Sequence, residues 1–297
     1  MSCFLKLAMC TEYWQVSPMP SLCILTPHST YHEDWRRVAA DYRALFGDDL
    51  TFIPWTQTGD LKAFDLVMPL IAWGYPRLAS LWFAALDEWE SQGVRFANPI
   101  STLRWNTNKD YLIDLQEEGV AIVPTMLATS LDPKDIAAAR ARFGDDLVIK
   151  PSISGGAEGT YRLGTRDPIP FEVIEREMLI QPMMPSIASE GEYSLFYFGG
   201  TLSHAILKKP APGDFRVQEQ HGGHEVSIAA PALAQNLATA ALAALRLMPL
   251  YARVDMVRGR DGDFALMELE LIEPALFLGH SADGGAAFAK AVYAAAG

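Results

Sequence analysis

Two apolar segments near the end of the chain, residues 251–257 and 264–272, carry charged side chains at alternating positions. Successive side chains of a β-strand point to opposite faces of the sheet. A strand through the second segment therefore places Met267, Leu269 and Leu271 on one face. Glu268 and Glu270 lie on the other, so one face of this pair of strands is suited to a core and the other carries charge.

The turn between the two segments sets their register. Asp261-Gly262 is a strong signal for a two-residue hairpin turn, and pairing outward from it places Asp255 opposite Glu268. The same register places Arg253 opposite Glu270. Facing carboxylates repel each other unless a cation lies between them, and hard oxygen ligands on neighbouring strands suit Mg²⁺. We therefore predict a magnesium site. Two alternatives stay open: the face is a solvated acidic surface, or a three-residue loop turns one strand over so that its side chains exchange faces.

The chain from residue 21 to residue 99 alternates strand and helix signals, which predicts a small parallel sheet with helices on both sides. Strands are predicted at 22–26, 50–55, 66–70 and 94–97, and helices at 34–46 and 77–92. Ligands of such doubly wound sheets bind beyond the carboxyl ends of the strands. Residues 26–29 and 72–75 hold such positions and are candidate substrate contacts, although both could be ordinary turns.

The remainder of the chain mixes both kinds of element without an internal repeat. Helices are predicted at 106–118, 133–143, 231–247 and 285–296, and strands at 121–125, 146–150, 161–163, 178–183, 193–198 and 201–207. The last helix, rich in small residues, is expected to cap the core. The predicted fold class is α/β, with α+β character in the C-terminal part.

Composition narrows the range of partners. The 297 residues are 50% hydrophobic with a formal net charge of -12, which excludes bulk disorder and argues against nucleic-acid or membrane-surface partners. No apolar window reaches about 18 residues, so no transmembrane helix is predicted. Cys3, Cys10 and Cys23 lack CxxC spacing, which argues against disulfides and zinc and favours a reducing cytoplasm. Residues 1–18 are predicted to be a disordered extension.

A glycine-rich stretch, residues 152–160, follows a predicted strand that ends in Lys150. It lacks the Gly-Lys-Ser/Thr ending of a P-loop, and it leads into a strand where a dinucleotide fingerprint leads into a helix. Its backbone N–H groups and the hydroxyls of Ser152, Ser154 and Thr160 suit a flap over phosphates. Taken alone, such a stretch is more often a floppy surface hairpin.

Two other polar groups do not support a site. His221 and His224 are too sparse for zinc, and the glycines between them indicate a loop. His280, Ser281 and Asp283 are triad residue types, but sequence neighbours do not supply triad geometry and no nucleophile elbow is present. A hydrolase is therefore not predicted.

Several weak motifs become specific through their order and spacing. They are Asn108-Lys109 opening a helix, Leu-Val-Ile-Lys150-Pro, Met-Leu-Ile-Gln181-Pro-Met, Gly191-Glu192, Asp214-Phe-Arg216 followed by Gly222-Gly223, Asp255, and Glu268-Leu-Glu270 closing with Glu273-Pro274. Across residues 100–290 this series resembles the ATP-grasp superfamily, in its glutathione-synthetase-like branch of carboxylate-amine ligases. The resemblance implies an N-terminal doubly wound domain (19–105), a central lid subdomain (106–177) and a C-terminal antiparallel-sheet subdomain (178–297).

The resemblance also implies a role for each matching residue, although any of them alone is more often a solvated or structural side chain. Lys109 and Lys150 would contact the ATP phosphates, beneath Ser152, Ser154, Gly155 and Gly156. Gln181, Pro182 and Met183 would form the hinge that reads adenine, and Glu192 would take the ribose hydroxyls. Arg216, with Lys150, would act on the transferred phosphoryl group. Asp255, Glu268 and Glu270 would bind two Mg²⁺ ions; many relatives have Asn at the last position, and the extra charge could tighten the metal.

The implied reaction is ADP-forming ligation of a small carboxylate to an amine through an acyl-phosphate, because phosphoryl transfer needs charge neutralisation and positioning. Two alternatives stay open. The Glu-Leu-Glu-Leu-Ile-Glu-Pro ending also resembles ligases of small amino-acid metabolism, including the cyclo-ligase of cycloserine biosynthesis, which favours intramolecular ring closure. The other alternative is a non-catalytic ATP-binding regulatory protein. The resemblance further suggests a homo-oligomer, a dimer or a tetramer.

Overall fold

The computed structural model contains one parallel sheet and two antiparallel sheets. It describes residues 19–32, 34–48, 50–218, 221–259 and 261–297. The predicted extension at residues 1–18, with Cys3 and Cys10, lies outside the described residues. The predicted α/β class, with antiparallel sheets toward the C-terminus, is confirmed.

The parallel sheet belongs to residues 19–99, which we call the first region. Its strands, in the order β2-β1-β3, are β1 (Leu22–Thr26), β2 (Leu50–Pro54) and β3 (Leu66–Met68), and its helices are α1 (Trp35–Phe46) and α2 (Ala79–Gln92). Leu22 and Ile24 pack in one apolar cluster with α1. Cys23 and Leu25 pack in another with α2. β1 can therefore be apolar throughout, because helices cover both of its faces.

Two predicted elements of the first region are shorter than expected. The predicted strand at 94–97 is reduced to one parallel bridge between Phe96 and Val67. The predicted helix at 77–92 begins as the 3-10 turn Tyr75–Leu78 and becomes α-helical only at Ala79.

The predicted helix at 106–118 is observed only as α4 (Tyr111–Glu117), and its first two residues instead end a separate helix that was not predicted, α3 (Ile100–Thr107). Asn108, between them, is extended. The N–H of Lys109 donates to the Ser152 carbonyl at 2.7 Å instead of to a helical carbonyl. A tertiary hydrogen bond therefore interrupts the helix and ties Lys109 to the glycine-rich stretch.

The central sheet is antiparallel, in the order β4-β7-β5-β6. Its strands are β4 (Met126–Ala128), β5 (Leu147–Pro151), β6 (Tyr161–Leu163) and β7 (Met178–Pro182). Helix α5 (Pro133–Phe143) packs on it after a capping box between Asp132 and Asp135. Instead of the strand predicted at 121–125, the structure has β4 and a bridge between Ile122 and Leu266.

The C-terminal sheet has five antiparallel strands in the order β10-β9-β8-β11-β12. They are β8 (Glu192–Phe198), β9 (Thr201–Lys209), β10 (His224–Ile228), β11 (Tyr251–Arg258) and β12 (Phe264–Glu270), with helices α6 (Ser186–Ser189), α7 (Ala232–Ala243) and α8 (Ala286–Ala296). α7 covers one face, and α8 covers the other while also packing against α1, which confirms its capping role. β10 was not predicted, because this largely exposed edge strand is short and carries only two apolar residues, Val226 and Ile228.

The hairpin of β11 and β12 reaches the predicted register through two departures that cancel. Near the turn, Arg258 pairs with Phe264 and Met256 with Leu266, one residue away from the predicted pairing. The pairing near the turn is therefore shifted by one position along β12. A β-bulge then inserts Met267 as an extra residue in β12 and restores Asp255 opposite Glu268.

The bulge changes the environment of Met267. This side chain packs with Val123 and Met183, whereas Leu269 and Leu271 pack in the cluster that α7 covers. The prediction that all three share one face is therefore wrong at Met267. Throughout the part of the chain that the structure describes, no helix combines the length and the apolar character needed to cross a membrane.

Candidate active site

A cavity of about 830 Å³ lies between the first region, the central sheet and the C-terminal sheet. Most of the predicted site residues line it: Lys109, Lys150, Ser154, Gly155, Gly156, Gln181, Pro182, Glu192, Arg216, Asp255, Glu268 and Glu270. The fold therefore brings together residues that are widely separated in the sequence.

Two predicted residues, Ser152 and Met183, are not on the cavity wall. The Ser152 hydroxyl donates to Oε1 of Glu177 at 2.5 Å, and its carbonyl accepts the Lys109 N–H. The side chain of Met183 packs in an apolar cluster, and its N–H already donates to the Asp146 carbonyl at 2.9 Å. The side chains of both residues support the wall behind the cavity, and the predicted contacts of Ser152 with phosphate and of the Met183 backbone with adenine stay predictions.

Lys109 is held between the C-terminal sheet and the glycine-rich stretch. Its Nζ lies 2.9 Å from Oε1 of Glu268 and donates to the Ser154 carbonyl at 2.6 Å. Burial works to lower the pKa of Lys109, but the neighbouring Glu268 outweighs burial and leaves that pKa above its usual value. Lys109 is therefore a fixed positive charge.

Lys150, at the end of β5, is a buried cation of a different kind. It is only 8% exposed, and its ammonium has no hydrogen bond or ion pair with any residue that the structure describes. Burial lowers its pKa, against a smaller opposing effect of Glu268. A buried charge without a partner costs free energy. The cavity is therefore suited to an anion from outside the chain.

A network of ion pairs surrounds Asp255. Arg253 donates from Nε to both carboxylate oxygens of Asp255, at 3.1 and 2.9 Å, and also contacts Glu270. Lys208 Nζ lies 2.9 Å from Oε1 of Glu192 and 3.4 Å from Oδ1 of Asp255. Burial alone would raise the pKa of Asp255, but Arg253 and Lys208 hold it below its ordinary value.

The cation predicted between the facing strands is thus supplied by the protein itself. Arg253 bridges Asp255 and Glu270, and Lys109 pairs with Glu268. This corrects the electrostatic argument for a metal, since carboxylate repulsion is relieved without one. Nor do any three His, Cys, Asp or Glu side chains among the described residues form a metal-binding group.

Glu268 and Glu270 nevertheless fit a hard cation that also binds a ligand. Both line the cavity, and their side chains are 24% and 25% exposed, against 3% for Asp255. Burial raises the pKa of Glu270 to about 7, with Glu268 and Asp255 adding to the effect and Arg253 opposing it. Mg²⁺ usually takes one or two carboxylates and completes its shell with water and phosphates. The pair on β12 meets that requirement, whereas Asp255 anchors Arg253 and Lys208.

Arg216 lies on the cavity wall, in the segment between β9 and β10. Its guanidinium forms a fork on Asp214, with Nε 3.1 Å from Oδ1 and Nη2 2.8 Å from Oδ2. Hydrogen bonding from Arg216 holds the pKa of Asp214 well below its usual range. The pairing with Asp214 is the structural alternative to a role in phosphoryl transfer, which stays a prediction.

One part of the wall is apolar and close to Gln181. Val123, Val148, Ile187 and Met267 line the cavity there, and the Gln181 amide donates to Oγ1 of Thr125 at 2.9 Å. The Gln181 side chain thus satisfies a neighbour, as its position in an apolar strand indicated. Apolar side chains beside strand-end backbone suit a flat heterocycle.

The first region contributes residues 73–75 to the wall, while residues 26–29 are not part of it. Gly74 has φ +86°, and a Cβ there would lie 3.0 Å from the ring of Tyr31, so this corner requires glycine. Arg77 joins the first region to the glycine-rich stretch, with Nε 2.9 Å from Oε2 of Glu158.

Lys208 and Tyr31 line the cavity but were not predicted. The signal for Lys208 was its register: it pairs directly with Glu192 across β8 and β9, and opposite charges favour that position. No comparable signal marked Tyr31, because only the close approach of Gly74 places its ring on the wall.

We compared the chain with known protein families and with individual known proteins. No protein-family model matches the chain. Cycloserine biosynthesis protein DcsG of Streptomyces lavendulae is 32% identical over 257 residues, which cover 79% of this chain and 84% of that protein.

Solved structures agree with that relative. The crystal structure of the D-cycloserine synthetase DcsG has a TM-score of 0.76 at 26% identity, covering 93% of this chain and 99% of the other. D-alanine–D-alanine ligase from Bacillus anthracis has a TM-score of 0.68 at 18% identity, with coverage of 93% and 96%. The ATP-grasp ligase PsnB reaches 0.63 at 18% identity, with coverage of 94% and 99%. The last two similarities concern the fold alone. Together with the curated relative they confirm the resemblance drawn from the motifs: the chain belongs to the ATP-grasp ligases, the family that includes DcsG.

Proposed function

We propose that this ATP-grasp ligase uses ATP and Mg²⁺ to activate a small carboxylate as an acyl-phosphate and joins it to an amine, with release of ADP and phosphate. The observation that carries the proposal is the buried Lys150, whose ammonium lacks a partner in the described chain. Lys109 and the carboxylates of Glu268 and Glu270 line the same cavity. A triphosphate would supply the missing anion.

The nucleotide would lie along the cavity wall. Lys109 and Lys150 would bind its phosphates beneath Ser154, Gly155 and Gly156. The hinge at 181–183 and the apolar residues beside it would hold adenine. Glu192, oriented by Lys208, would accept hydrogen bonds from the ribose hydroxyls.

In the first step a carboxylate oxygen of the substrate attacks the γ-phosphorus of ATP. A new O–P bond forms, and the bond to the β-phosphate oxygen breaks as ADP leaves. Lys109, Lys150 and Arg216 would position and neutralise the phosphates, which is most of what a protein contributes to phosphoryl transfer. Mg²⁺ held by Glu268 and Glu270 would neutralise further phosphate charge.

In the second step an amine nitrogen attacks the acyl carbon. The C–N bond forms, the C–O bond to phosphate breaks, inorganic phosphate leaves with the bonding electrons, and the proton lost by the amine nitrogen passes to solvent. Water would destroy the acyl-phosphate, so the site has to be covered during the reaction. The glycine-rich stretch, tied to the first region through Arg77 and Glu158, is suited to that task.

The test is ADP release over a panel of amino acids and short peptides, with and without Mg²⁺, compared between the wild type and the Glu268→Gln variant. We expect turnover with at least one substrate pair, its loss without Mg²⁺, and a fall of about 10²–10³-fold in the variant. ATP binding without turnover on any substrate would favour the non-catalytic regulatory alternative instead.

A second candidate is intramolecular ring closure by a cyclo-ligase. It is favoured by the 32% identity over 84% of DcsG and by the TM-score of 0.76 to the D-cycloserine synthetase structure. The two candidates differ in stoichiometry. A cyclo-ligase gives one ADP and a product lighter by one water from a single substrate, whereas an intermolecular ligase requires two substrates.

A further inference from the structure

The carboxyl group of Glu273 lies on the cavity wall. The proposed reaction assigns it no role. Four carboxylates that share the cavity each contact a lysine or an arginine: Glu192, Asp255, Glu268 and Glu270. A fifth, Glu225, has its Oε1 3.9 Å from Nε2 of His280. Glu273 lies within 4 Å of no Lys, Arg or His nitrogen in the described ranges. It is therefore the member of this group whose counter-charge is missing.

Glu273 lies close to the parts of the wall that surround the reacting groups. A Cβ built on Gly155 would lie 3.9 Å from Oε1 of Glu273 and 3.8 Å from Cγ of Pro76. The carboxyl thus faces a corner formed by the glycine-rich stretch and the first region. In the proposed function the glycine-rich stretch lies over the phosphates.

The environment of Glu273 disfavours an isolated negative charge. Burial raises its pKa to about 8; Glu270 adds to the rise and Lys109 opposes it. Such a carboxyl holds either a proton or a cation. Lys109 is already paired with Glu268, and Lys150 is assigned to the ATP phosphates, so the cation that pairs with Glu273 has to come from another ligand.

We propose that Glu273 binds the ammonium group of the amine substrate and holds its nitrogen beside the acyl-phosphate, where the ammonium passes one proton to solvent before the nitrogen attacks. This inference rests on the proposed function and deepens it, because it assigns the nucleophile to the class of primary amines that arrive as cations. Mg²⁺ is the other cation of the reaction, and Glu268 and Glu270 already suit it. Glu273 is thus a specificity residue for the second substrate.

The test separates a charged nucleophile from an uncharged one. Hydroxylamine is largely uncharged near neutral pH, and its nitrogen attacks an acyl-phosphate to give a hydroxamate and inorganic phosphate, with the proton passing to solvent. Hydroxamate formation therefore reports activation of the carboxylate without ammonium binding. The wild type, Glu273→Gln and the control Glu117→Gln are compared with hydroxylamine and with the amine substrate identified by ADP release. Glu117 is exposed on α4 and outside the cavity wall, so its variant removes the same charge elsewhere.

We expect Glu273→Gln to raise KM for the amine about 10–100-fold, the usual loss for a hydrogen bond to a charged group. The KM for ATP and the rate of hydroxamate formation should match the wild type, and Glu117→Gln should match it in every assay. If a single substrate carries both the carboxylate and the amine, the same increase is expected in the KM for that substrate.

Two results would overturn the assignment of Glu273 but leave the ligase proposal intact. One is an unchanged amine KM in the variant, and the other is parallel loss of hydroxamate and amide formation, which would make Glu273 part of carboxylate activation or of the fold. Absence of hydroxamate in the wild type with every carboxylate of the panel would instead overturn the ligase proposal, and this inference with it.

Discussion

Two buried cations of the cavity, Lys150 and Arg253, illustrate opposite uses of the same charge. Arg253 is bonded to Asp255 and Glu270, so removing it would leave Glu270 without an ion pair among the described residues and Asp255 with Lys208 alone. Lys150 has no partner among the described residues and is 8% exposed. A charge that lowers stability in the free protein is retained when it serves a ligand, so Lys150 marks the functional end of the cavity.

Replacing Lys150 with Met should separate stability from activity. We expect kcat for ADP release to fall about 10²–10³-fold, because a phosphate contact is lost. The free energy of unfolding should rise by about 1 kcal/mol or more, because an unpaired buried charge is removed. Urea unfolding and steady-state kinetics measure the two effects.

The matched control for that variant is Lys134→Met on α5, where the lysine is exposed. Its stability should change by less than about 0.5 kcal/mol and its turnover should not change. Wild-type turnover in the Lys150 variant would remove its assigned role.

Replacing Arg253 with Met should destabilise the protein by about 3–5 kcal/mol near neutral pH, because Asp255 and Glu270 would lose their shared partner. The pKa of Asp255 is lowered below 3.8 in the folded protein. The stability it contributes is therefore present above that value and is lost as the pH falls through the folded pKa.

The deficit of the Arg253 variant should accordingly be largest near neutral pH and shrink as the solution is acidified toward and below pH 3.8. Urea unfolding over that range measures it, with Arg253→Lys as the charge-retaining control. A deficit independent of pH would show that packing of the arginine stem, rather than its charge, explains the loss.

At the scale of elements, the hairpin of β11 and β12 shows how a correct register can follow from an incorrect pairing near the turn. The pairing near the turn is shifted by one residue from the prediction, and the bulge at Met267 shifts it back, so Asp255 still faces Glu268. The alternation of Leu and Glu could be read from the sequence. The bulge could not, because it depends on the packing of Met267 with Val123 and Met183.

The start of β8 depends on a glycine in a comparable way. Gly191 has φ +120°, and a Cβ there would lie 2.3 Å from the carbonyl oxygen of Lys208. Alanine would push β8 away from β9 at the Glu192–Lys208 pair. We expect Gly191→Ala to cost about 3 kcal/mol or more, since backbone strain of about 1–3 kcal/mol adds to the clash.

Gly144→Ala is the matched control, because Gly144 has φ +95° but no atom within 4 Å of an added Cβ. It should show the strain without the clash, in urea unfolding and in thermal melts. If both variants lose the same free energy of unfolding, β8 and β9 can move apart at Gly191 without a further cost.

At the scale of the whole molecule, the cavity is closed by a contact between parts that are distant in the sequence. Arg77, after the parallel sheet, pairs with Glu158 in the glycine-rich stretch at 2.9 Å. The side chains are 55% and 56% exposed, so the pair contributes little to global stability. Its effect should appear in how firmly the stretch covers the reaction.

Charge reversal tests this contact. Arg77→Glu and Glu158→Arg should each lower kcat/KM by about two- to fivefold, in line with an exposed ion pair. Each should also raise ATP hydrolysis in the absence of the amine, because water reaches the acyl-phosphate.

The double variant restores the attraction with the charges exchanged, and it should recover most of the lost activity. ADP release with and without the amine measures both effects. A double variant no better than the product of the two single ones would mean that the pair does not hold the stretch closed.

The sequence by itself determined the local elements and the set of charged residues. The apolar run of β1, the alternation in β12 and the order of Lys109, Lys150, Glu192, Asp255 and Glu268 follow from short-range patterns, and these carried both the fold class and the family. Tertiary structure decided which partner each group received. Arg253 lies between Asp255 and Glu270, the N–H of Lys109 donates to the Ser152 carbonyl, and Glu273 has no ion pair among the described residues. Such outcomes depend on distances between segments far apart in the chain, and periodicity along one segment carries no information about them.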